Sequence, residues 1–356
     1  MRTGDASIDD ALCSTSFGNN ETISRDFEIL LDGLAWAQGT PPPIAAAKTG
    51  GNAFDRIAQR ARVEATGHDL AWNGLVSAAG AVSTQAWREV PWTAGHSLWV
   101  VADWSSPPAQ QLLALTRDVF RFSSYEGEIS GGDLQERDLE AIRCARELLE
   151  AAIPATTANT LPVARVLLMP QTVVPSWYLT QIPETIGIGQ AFLRKASDLV
   201  LAESIFHECL HEKYTRLRLV RSLLAPGYDD KESPGVLLPW SLYQSRPRIF
   251  RVNRLLSTLH VYAHLTALHA TVLESMPQHH GESVERLRVN YERAAYLCDS
   301  LTWPEIGDHL GPDGRELRDW LRAEALVSSH RIASAHGVEL SAYPTEQWTR
   351  KELVTL

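Results

Sequence analysis

Residues 197–224 read SDLVLAESIFHECLHEKYTRLRLVRSLL, with His207-Glu208-Cys209-Leu210-His211 near the centre. Apolar Leu199, Ala202, Phe206, Leu210 and Leu217 recur at helical spacing, and Ser197 stands where an N-cap belongs. One long helix is therefore expected. Arg216, Arg218 and Arg221 fill its last turns, where positive charge suits the negative end of the helix dipole. At about 3.6 residues per turn, His207 and His211 stand one above the other, so both imidazoles can reach one metal ion. Glu203 and Tyr214 extend that face. Glu208 lies about 100° round the helix, within reach of a metal-bound water or of a ligand that it could orient. In a chain with 12 histidines, HExxH arises by chance at a rate of roughly a few per cent. The plainer reading is a pair of histidines bonded to carbonyls on a half-buried helix. The mid-helix position on an apolar segment favours a metal site.

The chain has 356 residues, 44% of them hydrophobic and 21% charged, which describes an ordinary globular protein. That length allows two domains: 1–155, a helical and aromatic region suited to substrate recognition, and 156–356, the HExxH metal-binding region. A formal net charge of −10 argues against a nucleic-acid partner and against an anionic membrane surface. Cys13, Cys144, Cys209 and Cys298 are far apart and form no CxxC pair, so neither a disulfide framework nor a zinc knuckle is expected. The first residues show no basic or apolar signal region, and no run nears the ~18 apolar residues of a spanning helix. A cytoplasmic protein is expected; the sequence leaves the oligomeric state open.

In chain order, 1–20 read as a loose polar arm and 24–37 as a helix. Residues 52–65 read as a second helix. Residues 70–104 carry five tryptophans (Trp72, Trp87, Trp92, Trp99 and Trp104), as core or as a peptide-binding wall, and HSLWVVADW within them reads as a short strand. Helices are expected at 108–120 and 133–152, with a loop at 123–132 between them. Extended segments follow at 163–169, 172–181 and 185–193, punctuated by Pro170, Pro175, Pro183 and Gly187. Residues 226–239 read as a loop, 249–274 as a second long helix carrying His260, His264 and His269, and 282–301 and 314–332 as further helices before an irregular tail. The fold class expected is α+β and mostly helical. It is a zincin-like arrangement in which a small sheet leads into the HExxH helix and a second histidine-bearing helix packs on it.

Two helical imidazoles do not complete a metal site. The residues after His211 exclude an HExxHxxGxxH peptidase, and neither Glu232 nor Glu274 sits in a convincing helical frame for a glutamate ligand. His260 and His264 are again one turn apart, and either could supply the third nitrogen.

The run IGIGQAFLRKASDLVLAESIFHECLHEKYTRL, then Pro239-Trp240, Arg246-Pro247 and LLSTLHVYAHLTALH, resembles the HExxH-motif peptide-modification family over about residues 160–275. These are iron-using, 2-oxoglutarate-dependent β-hydroxylases of ribosomally made peptides. The resemblance implies Fe(II), 2-oxoglutarate and O2 as cofactor and co-substrates, and a peptide or amino-acid-derived substrate. It makes His207, His211 and His260 the metal ligands, places Glu208 beside them, and puts Arg246 near the co-substrate carboxylate, with Arg248, Trp240 and His264 around it. Imidazole suits Fe(II), and arginine offers a carboxylate a planar fork. The alternative is a zinc metallopeptidase with Glu208 as general base.

Overall fold

The structure is a computed structural model that describes residues 7–37, 87–93, 95–122, 127–180, 182–242, 247–345 and 350–355. The expected helix at 52–65, Trp72 and Arg246 lie outside the described residues. Those residues form an α+β, mostly helical protein with a small mixed sheet. In chain order the elements are α1 (Ile8–Ala11), α2 (Asn20–Ala37), β1 (Trp87–Thr93), β2 (His96–Val101), α3 (Pro107–Phe122), α4 (Glu136–Ala152), α5 (Pro154–Ala158), β3 (Val166–Leu168), β4 (Ser176–Tyr178), β5 (Thr185–Ile188), α6 (Gln190–Leu193) and α7 (Asp198–Val220). After these come β6 (Gly235–Leu237), β7 (Ile249–Arg251), α8 (Val252–Ser275), α9 (His280–Ser300), α10 (Pro304–Gly307), α11 (Pro312–Trp320), α12 (Ser328–Ala335), α13 (Arg350–Leu353) and β8 (Val354–Thr355). The chain divides into two compact units, one of residues 20–151 and 157–216, the other of 1–19, 152–156 and 217–356. The units interleave along the sequence, and the boundary at 155/156 expected above follows composition alone.

The first of these units holds a sheet of order β1-β2-β3-β5-β4. β2, β3 and β5 run parallel, while β1 and the edge strand β4 are antiparallel to their neighbours. Every residue of β3 and β5 is buried, the continuous burial expected of inner parallel strands. Side chains alternate along a strand, and β4 shows the consequence. Trp177 enters a core with Val101, Leu112, Phe120, Ile129 and Val166, its indole edge-on to Phe120 at 5.5 Å. Its ladder partner is Gly187, where a Cβ would lie 2.0 Å from the indole. Ser176 and Tyr178 therefore project from the opposite face, toward α7. The extended segments are shorter than expected, and 190–193 is a helical turn rather than the end of a strand. α4 starts at Glu136, where the Asp138 carboxylate reaches back to accept the Gln135 N–H at 3.0 Å.

The second unit is helical around α8, which is buried along most of 252–273 and packs on α9, α12 and the π-helical turn Leu321–Val327. It also holds a three-stranded sheet of order β7-β6-β8. This corrects three expectations. The loop 226–239 contains β6, the expected helix from 249 begins only at Val252 after β7, and the tail pairs through Val354 and Thr355 with Val236 and Gly235. Residues 7–19 of the N-terminal arm are structured rather than loose. Ser7 caps α1, and buried Asp9 accepts the Ala155 and Thr156 N–H groups at 2.8 and 2.7 Å, capping the short α5. Among the described residues no helix is long and apolar enough to cross a membrane.

Candidate metal centre

α7 begins as its sequence requires: Ser197 Oγ accepts the Val200 N–H at 3.2 Å, satisfying one of the donors that a helix start leaves open. Leu199, Ala202, Phe206, Cys209, Leu210 and Leu217 are buried, which fixes the rotation of the helix about its axis. That rotation sets His207 and His211 side by side, half-buried, with their Nε2 atoms 3.1 Å apart and ring planes at 65°. Two neutral lone pairs at this distance repel, so a proton or a cation must lie between them. With metal–nitrogen bonds of ~2.0–2.1 Å, the separation subtends about 98° at a shared ion. That angle lies between the right angle of an octahedron and the ~109° of a tetrahedron, so the pair fits iron and zinc alike.

Glu208 joins them: its carboxylate and the two imidazoles offer ligand atoms within 4.8 Å of one another. It is 4% exposed, and Oε1 accepts the Ser176 hydroxyl at 2.6 Å. Burial pushes this carboxyl above the usual range, and the His207 ring and Ser176 hydroxyl only partly offset that push. Cys209 points into the core, and burial raises its thiol well above the ordinary value, so it is no thiolate ligand.

Beyond the motif lies a set of contacts that the sequence reading missed. The Tyr178 ring runs parallel to His211, 6.1 Å away with 10° between planes. Its hydroxyl donates to Glu212 Oε2 at 2.9 Å and lies 3.1 Å from Thr215 Oγ1, which itself donates to the His211 carbonyl. Glu212 Oε1 accepts Arg216 Nε at 3.0 Å, and Arg216 continues to the Val163 carbonyl and Glu184 Oε1. Arg216 thus serves a buried ion network rather than the helix dipole. Arg221, at the helix end, does donate to a terminal carbonyl, that of Val220 at 3.0 Å. The signal for Ser176 and Tyr178 was the polar–Trp–polar alternation of Ser176-Trp177-Tyr178.

The remaining expected residues lie in the other unit. His260 and His264 are buried on α8 with ring centroids 4.5 Å apart, and His264 Nδ1 is 2.7 Å from the His260 carbonyl. The His264 ring also meets Trp320 at 6.0 Å. Trp240 lies in a helical turn, edge-on to Tyr296 at 5.5 Å, with the Arg293 guanidinium 5.6 Å from its ring. Arg248 is exposed, and its N–H donates to Ser241 Oγ at 2.7 Å. Arg254 lies over the Phe250 ring at 4.4 Å.

Compared with known proteins, the chain matches no protein-family model and no curated protein.

Proposed function

We propose that the protein is a non-haem Fe(II)/2-oxoglutarate-dependent oxygenase that hydroxylates an unactivated β carbon in a peptide, such as a ribosomal natural-product precursor. The observation that carries this reading is the convergence of His207 and His211 Nε2 to 3.1 Å on a helix whose rotation is fixed by burial. The sequence likeness across 186–217 and 255–269 supplies the choice of chemistry. In this reading His207 and His211 hold the iron with His260 as third ligand, and Arg246 or Arg248 holds the distal carboxylate of 2-oxoglutarate, near Trp240 and His264. Bound iron with 2-oxoglutarate and O2 supplies an oxidant that replaces a substrate C–H with C–OH, while 2-oxoglutarate leaves as succinate and carbon dioxide. A mixed sheet whose antiparallel edge strand touches the HExxH helix supports a zincin-like arrangement.

Glu208 bears on the second reading, a zinc peptidase, because its carboxylate stands in the cluster where a general base would. Its Oε1 is taken by Ser176, which favours a role in orienting ligands and bound water over hydrolysis.

The full chain, loaded anaerobically with Fe(II) and given 2-oxoglutarate, O2 and ascorbate as reductant, is expected to release succinate even without peptide, and His207→Ala to abolish the release. With a peptide substrate, the product gains the mass of one oxygen. Peptide cleavage with Zn(II), independent of 2-oxoglutarate, would establish the peptidase instead.

A further inference from the structure

Strand β4 and helix α7 meet in matched steps. Alternate residues on one strand face are separated by about 6.6 Å, and residues four apart on a helix by about 6 Å along its axis. Ser176 reaches Glu208 and Tyr178 reaches Glu212, so the two elements run alongside each other with one strand repeat per helical turn. Between the two anchor points lies His211. The Tyr178 ring lies parallel to its imidazole at 6.1 Å, within the ~4.5–7 Å range of aromatic pairs. The tyrosine is itself held, because Glu212 accepts its proton and Glu212 in turn is fixed by Arg216, whose guanidinium also bonds Glu184 and the Val163 carbonyl. Behind Tyr178, Trp177 is locked over Gly187, which fixes the pitch of the strand. The tyrosine ring is thus held at its hydroxyl by buried Glu212 and at its backbone by the strand that carries buried Trp177.

We infer that Tyr178 is a positioning residue for the metal centre: its ring, anchored through Glu212, holds the His211 imidazole in the rotamer that faces His207. This rests on the metal-binding reading of His207 and His211, and adds that the edge strand, not the helix alone, sets the geometry of the pair. A histidine side chain on a helix has other rotamers open to it, and a ligand that must be recruited from them binds its ion more weakly.

The test is titration of the full chain with Co(II), read by its visible absorption, in parent, His207→Ala, Tyr178→Phe, Tyr178→Ala, His211→Ala and the Tyr178→Ala/His211→Ala double variant. Thermal unfolding of each metal-free variant is measured alongside. Tyr178→Ala is expected to weaken Co(II) binding about 10–100-fold and to change the absorption band. Tyr178→Phe keeps the ring and loses the Glu212 bond, so its loss is expected to be smaller, under about tenfold. In the His211→Ala background, Tyr178→Ala should bring no further loss, because the residue it positions is gone. Folded Tyr178→Phe and Tyr178→Ala proteins that bind within twofold of the parent would overturn the inference. So would an equal loss in the His211→Ala background, which would mark a general structural effect. A parent chain whose Co(II) binding is absent or indifferent to His207→Ala would overturn the metal-binding reading itself, and this inference with it.

Discussion

Asp138 and Glu212 are both wholly buried carboxylates, and an arginine holds each. Asp138 accepts Arg194 Nε and a terminal nitrogen, both at 2.9 Å, together with the Gln135 N–H and the Gln190 amide. Burial on its own would raise its pKa, but these donors outweigh burial and hold the carboxyl below the usual range. The sign follows. The unfolded chain protonates near the ordinary value of about 3.9, the folded chain only at lower pH, so the stabilisation is complete above that value and fades as pH falls through the folded pKa. Asp138→Asn is expected to cost about 1.5–3 kcal/mol at neutral pH, with the gap to the parent closing in urea melts taken toward pH 3. From the sequence, Asp138 is one charged residue within the helix expected at 133–152. Its burial depends on Arg194, 56 positions on, and nothing in local periodicity announces such a partner. His207 and His211 were readable for the opposite reason: helical geometry fixes residues four apart without any tertiary information. Glu212 and Arg216 also stand four apart, yet their third and fourth partners, Tyr178 and Glu184, come from strand and turn.

At the scale of elements, the long helices and the strands β2 to β5 were readable, and the strands of the three-stranded sheet were not. α7, α8 and α9 each carry several turns of apolar spacing, and their observed ends lie within a few residues of those expected. Strands β6, β7 and β8 have three residues or fewer, too short to show a period, and their existence depends on pairing residues 235–236 with 354–355. The polar composition of 1–20 suggests a loose arm, yet Asp9 is the cap of a helix 145 residues further on. The β4–β5 pair makes an element-scale prediction. A Cβ at Gly187 would lie 2.0–2.5 Å from three indole atoms of Trp177, with Phe120 behind it. Gly187→Ala is therefore expected to destabilise by about 1–3 kcal/mol or more in chemical denaturation. It should also weaken metal binding by displacing Ser176 and Tyr178 from α7. A variant as stable as the parent would show that the indole has room to shift.

At the scale of the whole molecule, the proposed iron ligands His207 and His211 belong to one compact unit and the proposed third ligand, His260, to the other. A metal that binds only the folded chain stabilises it, by about 2.7 kcal/mol at a free concentration one hundred times the dissociation constant. Net charge, cysteine spacing and helix content narrowed the class of protein without touching this question. The direct measurement is an anomalous difference map at the iron edge, from crystals of the full chain grown anaerobically with Fe(II). The account predicts one peak about 2.0–2.2 Å from His207 Nε2, His211 Nε2 and a His260 ring nitrogen. No peak between His207 and His211, or a peak there with His260 away from the ion, would contradict it.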